Sequence, residues 1–95
     1  MSFKVGDPVE LDAIVRGMFP QDDGLLVALE VPGYGRLSLH DRWLRRSAAG
    51  PLTEGEEVTF TGKVASIRDK LAGIRVDGSL GVIIAWTVAD LRSPR

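Results

Sequence analysis

No cysteine occurs in this sequence of 95 residues. Disulfides, thiolate metal sites and cysteine nucleophiles are thereby excluded. No apolar run approaches the 18 residues of a membrane helix, and the opening MSFKVGDPVEL lacks the apolar core of a signal peptide. A cytoplasmic protein that meets no membrane is expected. Neither sign of charge dominates: 12 basic residues stand against 13 acidic ones, a net charge of −1. Non-specific attraction to nucleic acid or lipid therefore has no global electrostatic basis. Asparagine is absent and lysine scarce beside arginine. GC-rich coding produces that bias, which points to a high-GC bacterium or its phage.

What is present is ordinary for a globular domain, with 44% apolar and 26% charged residues. A chain of this length buries roughly 60–70% of its unfolded surface, enough for one modest core. A single domain over residues 1–95 is expected.

Its organisation is written twice. VGDPVELDAIV near the start returns as EGEEVTFTGKV at residues 54–64, 49 positions on. Without gaps, Gly6 meets Gly55, Val9 meets Val58, Val15 meets Val64, Gly24 meets Gly73, Val27 meets Val76 and Asp41 meets Asp90. The pairs Leu37/Trp86 and Leu39/Val88 continue the match. Alternation puts Val9, Leu11, Ala13 and Val15 on one face of a strand, copied at Val58–Ala65. A second strand over Leu25–Val31 follows the hairpin signal QDDG, with its copy at Ile74–Val76. A third over Arg36–His40 follows PGYG, with its copy at Leu80–Val88. DRWLRRSAAG reads as a short connecting helix capped by Asp41 and stopped by Gly50-Pro51, and VADLRSPR as its truncated counterpart.

No parallel βαβ crossover is available, so a mainly antiparallel sheet is expected. Three strands cannot bury a core alone. The expected fold is all-β: a small antiparallel barrel or two-layer sandwich of two pseudo-repeated three-stranded meanders, residues 1–46 and 50–95, around a shared core. The run GDPVELDAIV…DDGLLVALEVPGYGRLSLHD, with its copy EGEEVTFTGKV…GIRVDG…AWTVADL, resembles the small Src-homology-type β-barrels of bacterial and phage proteins. That resemblance covers nearly the whole chain and implies binding rather than catalysis. Each copy has three strands where such a barrel has five.

Differences between the copies mark candidate surfaces. In the gap-free match Ile14 faces Lys63, Leu26 faces Arg75 and Ala28 faces Asp77, while Ile83 and Ala85 match Tyr34 and Arg36. Apolar outward positions want cover, either from Trp43, Leu44 and Ala48 of the connecting helix or from a partner. The residues assigned to a protein interface are Ile14, Leu26, Tyr34, Trp43 and Ile83, with strand addition at an open edge as a second mode. Arg42, Arg45 and Arg46, with Arg36 and the stacking ring of Tyr34, form the alternative, a nucleic-acid surface.

Chemistry is thinly represented. Ser38 and the only histidine, His40, share a strand face, but no nucleophile elbow or oxyanion loop accompanies them. One histidine with scattered carboxylates lacks zinc spacing, and Asp22-Asp23-Gly24 is a hairpin turn rather than a calcium loop. PGYG has no Lys-Ser/Thr and precedes a strand, so it is not a phosphate loop. No cofactor is expected and no enzyme. The expectation is an interaction module or adaptor that binds a protein or its own copy as a homodimer; a nucleic-acid binder and a phage virion or assembly component are the alternatives.

Overall fold

The computed structural model describes residues 2–94. The protein is all-β and antiparallel. Its strands are β1 (Pro8–Gln21), β2 (Gly24–Val31), β3 (Gly35–His40), β4 (Leu44–Arg45), β5 (Glu57–Arg68), β6 (Leu71–Val76) and β7 (Ile83–Thr87). Single 3-10 turns stand at Asp41–Trp43 and Val88–Asp90. Among the described residues no helix is long and apolar enough to cross a membrane. The strand faces follow the alternation: Val9, Leu11, Ala13 and Val15 are all buried, as are Val58, Phe60 and Val64.

The chain forms two compact units whose limits fall inside β1 and β5: Asp12–Phe60, and Met1–Leu11 together with Thr61–Arg95. In the 12–60 unit, β1 pairs with β2 and β2 with β3. Leu44 and Arg45 of β4 pair with Phe60 and Thr59 of β5. Val15 also exchanges backbone bonds with the chain just before β5, donating to Glu56 O at 2.9 Å and accepting from Gly55 N at 2.7 Å. Ala13, Val15, Val27, Leu29, Val31, Leu37, Leu39, Val58 and Phe60 are its buried apolar residues.

The second unit, split in sequence, pairs β5 with β6 and β6 with β7. The first segment of the chain is bonded to β5, with Gly6 N donating to Val64 O at 2.7 Å and Val64 N to Asp7 O at 2.9 Å. An isolated antiparallel bridge joins Glu10 to Arg92. Glu10 is buried and accepts from Arg92 Nε at 3.2 Å. Val9, Leu11, Val64, Ala72, Ile74, Val76, Ile84 and Leu91 are buried here.

The doubled phrase has a structural counterpart. The Gly6 and Gly55 bonds are equivalent, as are those of Val64 and Val15, and Asp7 N→Lys4 O (3.0 Å) repeats Glu56 N→Thr53 O (3.2 Å). Both long strands carry a register shift at the same place, between Val15 and Gly17 and between Val64 and Ser66.

Beyond those shifts the gap-free match fails. Val15 pairs with Leu29, whereas Val64 pairs with Ile74, so the second hairpin is shorter by four residues. Its turn is only Asp69-Lys70, with Asp69 at φ 56°, and β6 begins at Leu71 rather than Ile74. Ile84 pairs with Ile74 as Leu37 does with Leu29, and Trp86 with Ala72 as Leu39 does with Val27. Leu26 therefore corresponds to Leu71, Ala28 to Gly73, Glu30 to Arg75 and Arg36 to Ile83. The expected pairs Gly24/Gly73, Val27/Val76, Leu37/Trp86, Leu39/Val88 and Asp41/Asp90 do not correspond.

The connecting helix is also shorter than expected. It is one 3-10 turn at Asp41–Trp43, capped by the His40 side chain, which accepts from Arg42 N. Leu44 and Arg45 then extend to pair with β5, and the rest of DRWLRRSAAG is loop. A ten-residue helix is marginal by itself, and strand pairing by Leu44 outweighs the alanine propensity. The counterpart turn is likewise a single 3-10 turn, and Arg95 at the end of VADLRSPR lies outside the described residues.

Candidate interaction surface

The outward face of β1, β2 and β3 in the 12–60 unit is read row by row across the ladder. Ile14, Glu30 and Arg36 form the first row, Gly17, Ala28 and Ser38 the second, and Phe19, Leu26 and His40 the third. Phe19 faces out because of the bulge. Strict alternation from Val9 would put position 19 on the core side, and the extra residue at Arg16 inverts it. Phe19 is 56% exposed. Its ring lies toward the small middle row, 3.6 Å from where a Gly17 Cβ would stand. Leu26 beside it is half-buried.

A polar cluster borders this row. His40 Nε2 lies 3.1 Å from Asp23 Oδ1 on the β1–β2 turn. Its Nδ1 accepts from Arg42 N and Nε, each at 3.2 Å, and lies 2.9 Å from Asp41 Oδ1. Arg42 Nη2 also donates to Asp23 Oδ2. The hydrogen bond from His40 holds the Asp23 carboxyl below its ordinary value of 3.8, aided by the charge of Arg42. Gly24 makes the close approach possible. A Cβ there would come within 2.7 Å of His40 Cε1 and 2.8 Å of Asp41 Oδ1, and its φ of 142° suits glycine. With both imidazole nitrogens engaged in this way, neither is turned to Ser38, so the residues shared by one strand face do not assemble as a dyad. Among the described residues no group of three histidine or carboxylate side chains is placed to hold a metal ion.

The residues assigned from sequence are dispersed. Leu26 and Arg42 stand at the Phe19 end of this face. Trp43, 43% exposed, follows Arg42 in the 3-10 turn. Ile14 and Arg36 occupy the opposite row, and Tyr34 lies in the adjacent β2–β3 turn, its N donating to Val31 O. Ile83 belongs to the other unit, opposite Arg75.

The arginines are largely engaged within the chain. Arg46 donates twice to Glu56, Nε→Oε2 at 2.6 Å and Nη2→Oε1 at 2.8 Å, and also to Gly50 O and Pro51 O. Arg45 lines a cavity of about 290 Å³ with Asp12, Ser47, Glu57, Val58 and Thr59. Arg36 stands opposite Glu30. Sequence reasoning missed Phe19 and Asp23. Gly17 inside a strand was the available sign of a bulge, and hence of an outward Phe19.

The chain matches no protein-family model, no characterised protein and no solved structure.

Proposed function

We propose that the protein is a cytoplasmic, non-enzymatic interaction module whose 12–60 unit binds another protein through the outer face of β1–β3 around Phe19 and Leu26. The observation that carries this reading is Phe19, held outward by a bulge and more than half exposed beside a second apolar side chain. An aromatic next to apolar area with a polar border is the composition of a binding hot spot. Asp23, Arg42 and His40 supply that border, with directional groups that can fix a partner's orientation. The Src-homology-type resemblance is supported by strand content. The 12–60 unit has five strand segments, because residues 57–60 add to the three of the first repeat and to β4.

Nucleic-acid binding is less favoured. Arg42 and Arg46 are committed to Asp23 and Glu56, and each phosphate contact would have to compete with a carboxylate already in place.

Photocrosslinking tests the assignment. A photoreactive phenylalanine analogue at position 19 should yield nuclease-resistant protein adducts in lysate, and the same analogue at the exposed turn position 70 should not. Nuclease-sensitive adducts, or equal yield from both positions, would overturn it. Adducts of twice the chain mass would identify the partner as a second copy.

A further inference from the structure

The split unit carries a second, chemically different feature. A cavity of about 270 Å³ is lined by Val5, Gly6, Lys63, Val64, Ala65 and Arg75. Lys63 and Arg75 are direct cross-strand partners on β5 and β6. Like charges placed opposite each other on neighbouring strands destabilise a sheet. The relief is unequal, since Asp77 partners Lys63 alone. Lys63 Nζ is 3.7 Å from Asp77 and 62% exposed, and among the described residues no ion pair holds Arg75.

The fold does not require this pair. At the corresponding positions the 12–60 unit has Ile14 opposite Glu30, and Glu30 is neutralised by Arg16 at 3.3 Å. The same backbone thus carries an uncharged or balanced row in one unit and, in the other, two opposed cations of which Asp77 partners only Lys63. A cost to folding that the neighbouring repeat avoids suggests a role in binding.

The walls narrow the class of anion. Val5 is 63% exposed, and Ile83, opposite Arg75, is 48% exposed. Both offer apolar area beside the cations. The Gly6 N–H already donates to Val64 O and the Val64 N–H to Asp7 O, so these amides do not form a phosphate cradle. Among the described residues no aromatic ring lines the cavity to stack on a base. We propose that this cavity receives the carboxylate of a glutamate or aspartate on a partner protein's segment, held by Lys63 and Arg75, with an adjacent apolar side chain of that segment against Val5 and Ile83. This inference stands whether or not the Phe19 face binds.

The test is a titration of the isotope-labelled full chain, followed by amide shifts. The probes are a capped tetrapeptide alternating leucine and glutamate, its leucine–glutamine counterpart and inorganic phosphate. The acidic peptide should move the amides of residues 5, 6, 63–65 and 75 saturably, and the glutamine peptide and phosphate should not. Arg75→Gln should weaken binding about tenfold or more, the loss of one charge-assisted contact. It should not lower the melting temperature, because it relieves the opposed cations. Should that variant fail to fold, Lys63→Gln provides the same comparison. Equal shifts from the glutamine peptide or from phosphate, no shift from any probe, or undiminished binding by the variant would overturn the proposal.

Discussion

Arg46 and Glu56 are joined by two parallel contacts, 2.6 and 2.8 Å long, that fasten the two ends of the β4–β5 connection to each other. The remaining guanidinium donors reach Gly50 O at 2.7 Å and Pro51 O at 3.1 Å, inside the loop they close. Glu56 in turn accepts from Thr53 N at 3.2 Å. Paired planar groups of this kind are directional, and lysine cannot reproduce the fork. Arg46→Lys and Arg46→Ala should both raise the rate of limited proteolysis within residues 47–55 several-fold, alanine more than lysine. An unchanged cleavage rate would show that the loop is held by other contacts.

Acid should weaken the protein at two identified places. The hydrogen bond from Arg46 holds the Glu56 carboxyl below its ordinary value of 4.5, and that from His40 holds Asp23 below 3.8. A carboxyl whose folded-state value is depressed favours folding above its ordinary value, and that contribution fades as pH falls through the lower folded-state one. Melting temperature should therefore drop with pH below about 4.5, the ordinary glutamate value. Glu56→Gln should start lower at neutral pH and fall less steeply over the same window. A parallel decline in both proteins would remove Glu56 from the account.

Gly24 and Gly33 separate backbone strain from steric conflict. Both hold positive φ, 142° at the first residue of β2 and 82° in the β2–β3 turn. A methyl group at Gly33 meets nothing within 4 Å, whereas one at Gly24 meets His40 and Asp41. Gly33→Ala should cost about 1 kcal/mol, the price of the conformation alone, and Gly24→Ala about 2–3 kcal/mol as His40 is displaced. Urea unfolding measures both. Equal costs would mean that the imidazole moves aside freely.

How much of this was legible depends on how local each signal is. Alternation in VELDAIV and VTFTGKV identifies the buried faces because both strands are regular up to Val15 and Val64. After that a single extra residue inverts the faces, and a hairpin four residues shorter shifts every later correspondence. Coincident glycines at 24 and 73 and aspartates at 41 and 90 concealed the shift. A two-residue turn at Asp69-Lys70 was accessible in principle, since aspartate tolerates φ near 56°. Other features leave no local trace. Leu44 pairs with Phe60 across a loop, so the helix-favouring composition around it is overridden by a distant strand. The limits of the compact units fall between Leu11 and Asp12 and between Phe60 and Thr61, within continuous alternation. The outward site was half visible: Leu26 and Arg42 are on its end of the sheet, while Phe19 depended on the bulge.

Phe60 and Phe19 provide the sharpest separation of folding from binding in the 12–60 unit. Phe60 is fully buried and pairs with Leu44 at the β4–β5 junction, whereas Phe19 is largely exposed. Truncating a buried phenylalanine removes its transfer energy and leaves a cavity, so Phe60→Ala should cost about 3–5 kcal/mol. Phe19→Ser removes mainly surface already in water and should change stability by only about 0.5 kcal/mol. If Phe19 were instead needed to shield the small row of Gly17 and Ala28, Phe19→Ser would lower the unfolding midpoint by an amount approaching that of a core truncation. Chemical denaturation of the two variants side by side, with binding measured on the soluble Phe19→Ser protein, distinguishes a side chain kept for a partner from one kept for the fold.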